Sequence, residues 1–293
     1  MSNFVKINNK ISRFNKKLLI DGDKSLSIRW ALLSSQSLKK SKASNLLLSE
    51  DVLSSLNCLK KLGVKIKISK NFCEIVGLGL NGFKYKDNLV LNAGNSGTLG
   101  RLILGLLVHS KKKIKLTGDK SLSKRDFLRV IKPLKKFGAK FNSNHGKLPI
   151  KVKGSNYTKP IRYFENRGSA QCKSAVMFAA LNTPGETIIK AKKSRDHSEL
   201  LFKHLKLQIK INKRDKYDII KIVGKRNIPA LNYKIPSDIS SAAFFIVLTA
   251  LTENSSLKIK NVNINPSRMG VFYILKLMGI KISKLNTKNY KGE

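Results

Sequence analysis

Leu59-Lys-Lys-Leu-Gly63-Val-Lys-Ile-Lys-Ile68 is the stretch that decides how this chain folds. A Leu/Lys-rich helix runs into a glycine, and the residues after it alternate apolar with basic. Gly63 can close the helix in the left-handed region, which residues with a Cβ resist. The alternation then puts Val64, Ile66 and Ile68 on one face of a strand and the lysines on the other. The pattern recurs as Leu134-Lys-Lys-Phe-Gly138-Ala-Lys-Phe141, as His204-Leu-Lys-Leu207-Gln-Ile-Lys-Ile211 with Leu in the glycine's place, and as Leu275-Lys-Leu-Met-Gly279-Ile-Lys-Ile282. Positions 63, 138, 207 and 279 lie 75, 69 and 72 residues apart. A period of ~70 residues is too long for a short solenoid repeat and suits a βαβ-type module of several elements. Four such modules fit in 293 residues, an α/β repeat architecture. The fourth has only completed its helix-strand pair where the polar tail Leu285–Glu293 begins. Because an open sheet edge is a liability, an incomplete chain is the expectation here.

Composition bounds the function classes. The hydrophobic share of 41% fills a sizeable core. Lys and Arg exceed Asp and Glu by 59 − 17 = 42. Such an excess raises nucleic-acid binding, since cationic side chains release counterions from a phosphate backbone. The lysines, however, are scattered from Lys6 to Lys291, no basic-aromatic platform accompanies them, and Trp30 is the only Trp. A solvated Lys on every exposed face explains the charge without nucleic acid. Cys58, Cys73 and Cys172 form no CxxC and no zinc spacing, which suits a reducing cytoplasm. His109, His145 and His204 show no ligand spacing, so no metal is inferred. The apolar runs Leu102–Val108 and Ala242–Leu251 fall short of the ~20 residues a membrane span needs. The basic start Met1–Lys17 reads as a first strand rather than a presequence.

An octapeptide occurs twice, as Gly22-Asp-Lys-Ser-Leu-Ser-Ile-Arg29 and Gly118-Asp-Lys-Ser-Leu-Ser-Lys-Arg125. Each follows a strand-like run, Leu18–Ile20 or Ile114–Leu116, and precedes an apolar helical stretch, Trp30–Ser35 or Phe127–Phe137. A strand, a Gly-Asp-Lys-Ser loop and a helix present backbone N–H groups and the helix dipole to an anion. Lys24, Ser25 and Arg29 add two charges and a hydroxyl, and Lys120, Ser121, Lys124 and Arg125 repeat the offer. A turn whose Asp and Ser merely cap a helix explains one copy equally well, and descent by repetition explains the match between two. Charge favours the anion site, because a cap requires neither Lys nor Arg.

Other helix starts carry similar chemistry. In Leu91-Asn-Ala-Gly-Asn-Ser-Gly-Thr98-Leu-Gly-Arg101, Gly94 and Gly97 permit close backbone approach, and Asn95, Ser96 and Thr98 offer caps. The loop is neither a Walker A motif nor a dinucleotide fingerprint. In Asn166-Arg-Gly-Ser169-Ala-Gln171-Cys-Lys173, Ser169 is a natural N-cap, and Gln171 and Lys173 face whatever the helix end binds. In Ser194-Arg195-Asp196-His197-Ser-Glu199, Asp196 or Ser194 serves as a cap, which leaves Arg195 and His197 less easily explained. Pro236-Ser-Asp238 reads as an N-cap before Ala242–Leu251.

Taken in order, Gly22–Arg29, Asn92–Leu102, Gly118–Arg125, Ser169–Ala175, Ser194–Glu199, Pro236–Phe245 and Asn265-Pro-Ser-Arg268-Met-Gly270 resemble the enolpyruvyl transferases, specifically their EPSP synthase family. The sister family acting on UDP-N-acetylglucosamine lacks the Gly-Asp-Lys-Ser signature. The resemblance implies two domains of three βαβαββ units each, with the active site in a cleft between them. Residues 21–234 would form one complete domain. Residues 1–20 with 235–293 would form part of the other, so that four of six units are present. The implied reaction transfers the enolpyruvyl group of phosphoenolpyruvate to the 5-hydroxyl of shikimate 3-phosphate, a step toward chorismate and the aromatic amino acids.

By motif match, Lys24 touches both substrates. Ser25, Arg29, Ser169, Ala170, Gln171 and Arg195 hold shikimate 3-phosphate, and Gly97, Arg125 and Gln171 hold phosphoenolpyruvate. The first octapeptide is then the main clamp and the second supplies chiefly Arg125, its other likeness being inherited from the repeat. The resemblance implies no cofactor and no metal, a monomer, and neither nucleic acid nor membrane as partner. Asp21, Ile28 and Ser237 replace the family's Pro, His and Gly. The family's general-base Asp, its proton-transferring Glu and further Arg residues have no counterpart here, so the 293-residue chain alone is expected to be inactive. A non-catalytic phosphosugar-binding remnant is the alternative class.

Overall fold

A computed structural model describes residues 11–291. The opening residues 1–10, part of the expected first-strand region, lie outside them. The chain divides into two compact units, Met1–Asp21 with Pro236–Thr287, and Gly22–Ile235 with Lys288–Glu293.

Among the described residues the first element is β1 (Asn15–Leu19), and three modules follow in the larger unit. The first comprises α1 (Lys24–Ser34), β2 (Lys40–Ser44), α2 (Glu50–Lys61), β3 (Lys65–Ser69) and β4 (Phe72–Val76). The second runs β5 (Leu89–Asn92), α3 (Gly97–Leu106), β6 (Ile114–Thr117), α4 (Lys120–Ser123), α5 (Leu128–Lys135), β7 (Lys140–Asn144) and β8 (Lys147–Lys153). The third runs β9 (Arg162–Glu165), α6 (Ala170–Asn182), β10 (Glu186–Lys192), α7 (His197–His204), β11 (Ile209–Lys213) and β12 (Tyr217–Val223). Then follow β13 (Tyr233–Lys234), α8 (Ile239–Ala250), β14 (Ser256–Lys260) and α9 (Gly270–Leu277).

Each module makes one four-stranded sheet in the same order: β13-β2-β4-β3, β5-β6-β8-β7 and β9-β10-β12-β11. In every sheet the first pair is parallel and the other two pairs are antiparallel. The first module lacks a leading strand of its own in sequence, and β13 takes that place beside β2, with Tyr233 opposite Ala43. These are βαβαββ units, the α/β repeat architecture expected from the ~70-residue period.

Gly63, Gly138 and Gly279 adopt φ of +90°, +106° and +83°, as a helix stop requires. In the third copy the stop is Lys206, at φ +52°, and not Leu207. There Leu207 N–H donates to Phe202 O at 3.0 Å, just as Val64 N–H donates to Leu59 O at 3.1 Å. The paired bonds of a helix-closing motif thus set the alignment, one residue earlier than apolar matching suggested. The strand expected after Gly279 does not form: residues 280–282 have no strand assignment. A strand exists only by pairing, and among the described residues no pairing includes that stretch.

α1, α3 and α6 are buried on every side from their second turn onward, so they form the centre of the larger unit. Both ends of this bundle are tied. Near the starts, Gln171 Nε2 donates to Thr98 Oγ1 at 3.1 Å. Near the ends, Asn182 Nδ2 donates to Gln36 Oε1 at 3.2 Å. The three helices therefore run parallel. Gly105 allows α3 to approach α6, since a Cβ there would overlap the Ala175 carbonyl oxygen.

Each module leaves its last strand through a glycine: Gly77 after β4, Gly154 after β8 and Gly224 after β12. A Cβ at any of the three would strike backbone where a central helix finishes, near Ser34 and Ser37, near Val108 and Ser110, or near Ala180 and Thr183. Packing rather than positive φ requires glycine here.

In the smaller unit, β1 pairs parallel with β14, Asn15 opposite Ser256 and Leu19 opposite Lys260. Ile20, Ile239, Ala242, Met269 and Phe272 form its core. Asp238 caps α8 through Ser240 N–H at 2.8 Å and accepts Arg268 Nη2 at 2.9 Å. Ser237, where the family pattern has Gly, donates to Ile20 O at 2.6 Å and is fully buried.

Candidate anion-binding site at the helix starts

The aspartates of both octapeptides are caps. Asp23 Oδ1 accepts Leu26 N–H at 2.9 Å, and Asp119 Oδ1 accepts Leu122 N–H at 2.6 Å. Beyond the caps the copies part. The first runs into an eleven-residue helix that carries Arg29 into the interior. The second makes one turn, Lys120–Ser123, and breaks before α5, so the helix expected over 127–137 is shorter and Arg125 stays exposed. The copies also occupy different places: Gly22–Arg29 opens a module's first helix, Gly118–Arg125 its second. Inheritance from the repeat therefore does not account for their likeness, which corrects the expectation.

Arg29 is 3% exposed. Its Nε donates to Ser198 Oγ at 2.8 Å, Nη2 to Ser174 Oγ at 3.2 Å and Nη1 to Ser25 O at 3.1 Å. Ser174 Oγ and Ser198 Oγ are themselves 2.7 Å apart. One guanidinium thus locks α1 to α6 and α7. Lys24 is exposed, with Nζ 2.8 Å from Asp51 Oδ2 at the start of α2.

The Asn92–Ser96 loop closes on itself and on the second octapeptide. Asn92 Oδ1 accepts Gly94 N–H at 2.9 Å, and Ser96 caps α3. Asn95 donates to Asp119 Oδ2 at 2.7 Å and accepts Arg125 Nη2 at 2.9 Å, so it aims Arg125. A Cβ on Gly97 would stand 2.9 Å from Arg101 Nη1 and 3.0 Å from Arg125 Nη1. Glycine therefore lets two guanidiniums approach the first turn of α3.

Gln171, in the first turn of α6, spans to α3 with both ends of its amide. Besides the Thr98 bond, its Oε1 accepts Arg101 Nη1 at 2.6 Å. Arg101 also donates to Gly97 O at 3.2 Å and lies 5.2 Å from the Phe127 ring centroid. Burial, then the like charge of Arg129, lowers its guanidinium below the ordinary value. Ser169 caps α6 through Cys172 N–H, and its own N–H donates to Glu165 Oε2 at 2.8 Å. Ser169, Ala170 and Gln171 are half-buried, and Arg195 is exposed just ahead of α7.

Gly97, Arg125 and Gln171 thus come together, as do Arg29 and the starts of α6 and α7. Lys173 departs from expectation: it does not face the helix end but is 1% exposed, 2.5 Å from Glu199 Oε1. Burial raises the Glu199 carboxyl while Lys173 opposes the rise. Asp196 occupies the cap position of α7 without a side-chain capping bond. The motifs gave no direct sign of Arg101, Asn95 and Asp51 as partners of site residues; an Arg inside the apolar run 99–106 was the available clue.

The electrostatics follow from the geometry. Three parallel helix starts direct their partial positive ends the same way, and Asp119, Lys120, Ser121, Lys124 and Arg125 line an open depression beside α4, three cations against one carboxylate. Cys172 is buried and its thiol is raised by burial, so it offers no reactive thiolate. Among the described residues no three His, Cys, Asp or Glu side chains gather as a metal site would require. Among them, too, no helix is long and apolar enough to cross a membrane.

Repeated βαβαββ units with cationic, capped helix starts define the enolpyruvyl transferase class of fold. The family model for EPSP synthase (3-phosphoshikimate 1-carboxyvinyltransferase) matches residues 8–291, and the chain belongs to this family. It is 44% identical over 277 residues to the 3-phosphoshikimate 1-carboxyvinyltransferase of Ruthia magnifica, covering 94% of this chain and 62% of that protein. Against the Caldicellulosiruptor bescii enzyme of the same name it is 41% identical, covering 96% and 65% respectively. The EPSP synthase structure from Acinetobacter baumannii superposes with a TM-score of 0.81 at 36% identity, over 91% of this chain and 60% of that one. The chain thus spans somewhat less than two thirds of the length of these relatives.

Proposed function

We propose that these residues serve the transfer of the enolpyruvyl group from phosphoenolpyruvate to the 5-hydroxyl of shikimate 3-phosphate, with release of phosphate. The setting is the shikimate pathway to chorismate and the aromatic amino acids, in the cytoplasm. Family membership supports the reaction. The observation that carries the site is the joining of Gly97, Arg125 and Gln171 around Arg101 at the starts of α3 and α6.

Both substrates are multiply anionic, so bringing them together requires cationic donors that offset their mutual repulsion. Lys24 contacts both. Ser25, Arg29, Ser169, Ala170, Gln171 and Arg195 hold shikimate 3-phosphate; Gly97, Arg125 and Gln171 hold phosphoenolpyruvate. Arg29 acts largely by fixing α1 against α6 and α7, so the helix starts are preorganised before ligand arrives. Asp51 holds the Lys24 ammonium in place. The protein works as a monomer on small molecules, without nucleic acid, metal or organic cofactor.

Calorimetric titration with shikimate 3-phosphate tests this reading. Binding is expected at millimolar ligand or below, weakened about tenfold or more by Lys24→Met, a loss typical of a charge-assisted contact. Folded protein that gives no heat at millimolar ligand, or a Lys24→Met variant that binds equally well, would overturn it.

A further inference from the structure

The start of α6 is built by a carboxylate that precedes it. Glu165 ends β9 opposite Ala191 of β10 and is 2% exposed. Its two oxygens accept from two backbone groups of the turn that follows. Oε1 takes Arg167 N–H at 3.2 Å, and Oε2 takes Ser169 N–H at 2.8 Å. Between those two residues Gly168 stands at φ +69°, where glycine is favoured. In a capping box, a Glu or Gln three residues into the helix satisfies the cap residue's own N–H. Here that position is Cys172, and the first turn of α6 holds no acidic residue. Glu165 supplies the acceptor from outside the helix.

This arrangement decides which part of Ser169 remains for a ligand. Its N–H is taken by Glu165, and its Oγ accepts Cys172 N–H at 3.3 Å. What remains is the hydroxyl proton, a single donor. Anion oxygens are acceptors, so the serine is presented in the form an anion can use. Glu165 is buried and both its oxygens are turned to backbone, so it acts on the ligand only through the turn.

We propose that Glu165 is a positioning residue for shikimate 3-phosphate, one that fixes the 166–169 turn so that the Ser169 hydroxyl donates to an oxygen of the bound anion. This role rests on the proposed reading of Ser169 as a ligand residue. A purely electrostatic role has the opposite sign. A carboxylate one hydrogen bond away from an anion's partner repels the anion, so removing its charge alone strengthens binding.

Calorimetric titration with shikimate 3-phosphate compares the parent with Glu165→Leu, Glu165→Gln, Ser169→Ala and the combination of Glu165→Leu with Ser169→Ala. Leucine removes both acceptors; glutamine keeps one and, like leucine, removes the charge. Glu165→Leu should bind about tenfold more weakly, a typical loss for one hydrogen bond to a charged group. Glu165→Gln should fall between it and the parent. The combination should bind no more weakly than the worse of its two single variants, as residues acting through one contact require. Gly154→Ala, which disturbs the opposite end of α3, should keep the parent's affinity. Circular dichroism checks folding, and where Glu165→Leu does not fold, the weaker binding of Glu165→Gln decides. The proposal is overturned if either Glu165 variant binds as tightly as the parent or tighter, if the two single losses multiply in the combination, or if Gly154→Ala loses as much affinity. A parent that binds no shikimate 3-phosphate removes the reading of the site and this role with it. A parent weakened by Ser169→Ala but indifferent to Glu165 removes this role alone.

Discussion

Arg101 Nη1 donates to Gln171 Oε1 at 2.6 Å, and the same nitrogen reaches Gly97 O at 3.2 Å. Because Gln171 also donates to Thr98, the amide is a strut between two helix starts. Gln171→Glu strengthens the Arg101 half of the strut, since a carboxylate accepts more strongly than an amide, and keeps the Thr98 half by turning that hydroxyl from acceptor to donor. It also places a negative charge where anions are to bind. The urea midpoint should hold or rise, while shikimate 3-phosphate affinity falls about tenfold or more. An affinity equal to the parent's would show that this position does not face ligand.

Arg29 makes three directed bonds from one buried guanidinium. Lysine carries the charge but cannot fork, so Arg29→Lys leaves Ser174 or Ser198 short of a donor. A loss of about 2–3 kcal/mol in unfolding free energy is expected, the range for buried hydrogen bonds to a charged group. Denaturant unfolding of the two proteins measures it. A loss within experimental error would mean the serines satisfy each other and Arg29 is dispensable to the fold.

The module was legible in the sequence because helix closure demands an unusual backbone, and glycine at 63, 138 and 279 advertises it. Lys206 does the same work without the signature, so its place emerged only from the bond between Leu207 and Phe202. The helix starts were legible for a similar reason: Asp23, Asp119, Ser96 and Ser169 are capping types in capping positions. Pairings across the chain were not. Nothing local says that Lys173 turns inward to Glu199, that Asn95 aims Arg125, or that β13 completes the first sheet. These depend on which modules lie side by side, a tertiary fact with no periodic trace.

Lys206 carries a strained left-handed backbone, at roughly 1–2 kcal/mol for a residue with a Cβ. Glycine relieves it but loses more chain entropy on folding, by about 0.5–1 kcal/mol. Lys206→Gly should therefore stabilise the protein by up to about 1.5 kcal/mol. Gly138→Ala, at φ +106° and close to Ser155, should do the opposite. Thermal melting compares them, and a destabilised Lys206→Gly would refute the strain argument.

Gly77, Gly154 and Gly224 hold positions where a side chain would enter backbone. Gly154→Ala forces the linker away from the end of α3, a cost of about 1–3 kcal/mol by the measure of overpacked sites. Gly270→Ala is the control: it opens α9, nothing lies within 4 Å of its added Cβ, and alanine favours helix. Its stability should be unchanged or slightly raised. Equal losses from both substitutions would indicate a general glycine effect, not the close approach.

His109 supplies a pH dependence with a definite sign. Burial pushes its imidazole down to about 4 from the ordinary 6.5. Its ring bonds Ala179 O at 3.3 Å as a neutral group. The unfolded chain takes up the proton below pH 6.5 and the folded protein does not until about 4. Stability from this group is therefore complete above pH 6.5 and is lost as pH falls toward 4. Between pH 6.5 and 5 the loss should be about 1–2 kcal/mol. Carboxylates titrate in the same range, so the useful quantity is the difference from His109→Gln, which cannot take up a proton. Urea unfolding at the two pH values should show a shallower decline in the variant, and parallel declines would remove His109 as the cause.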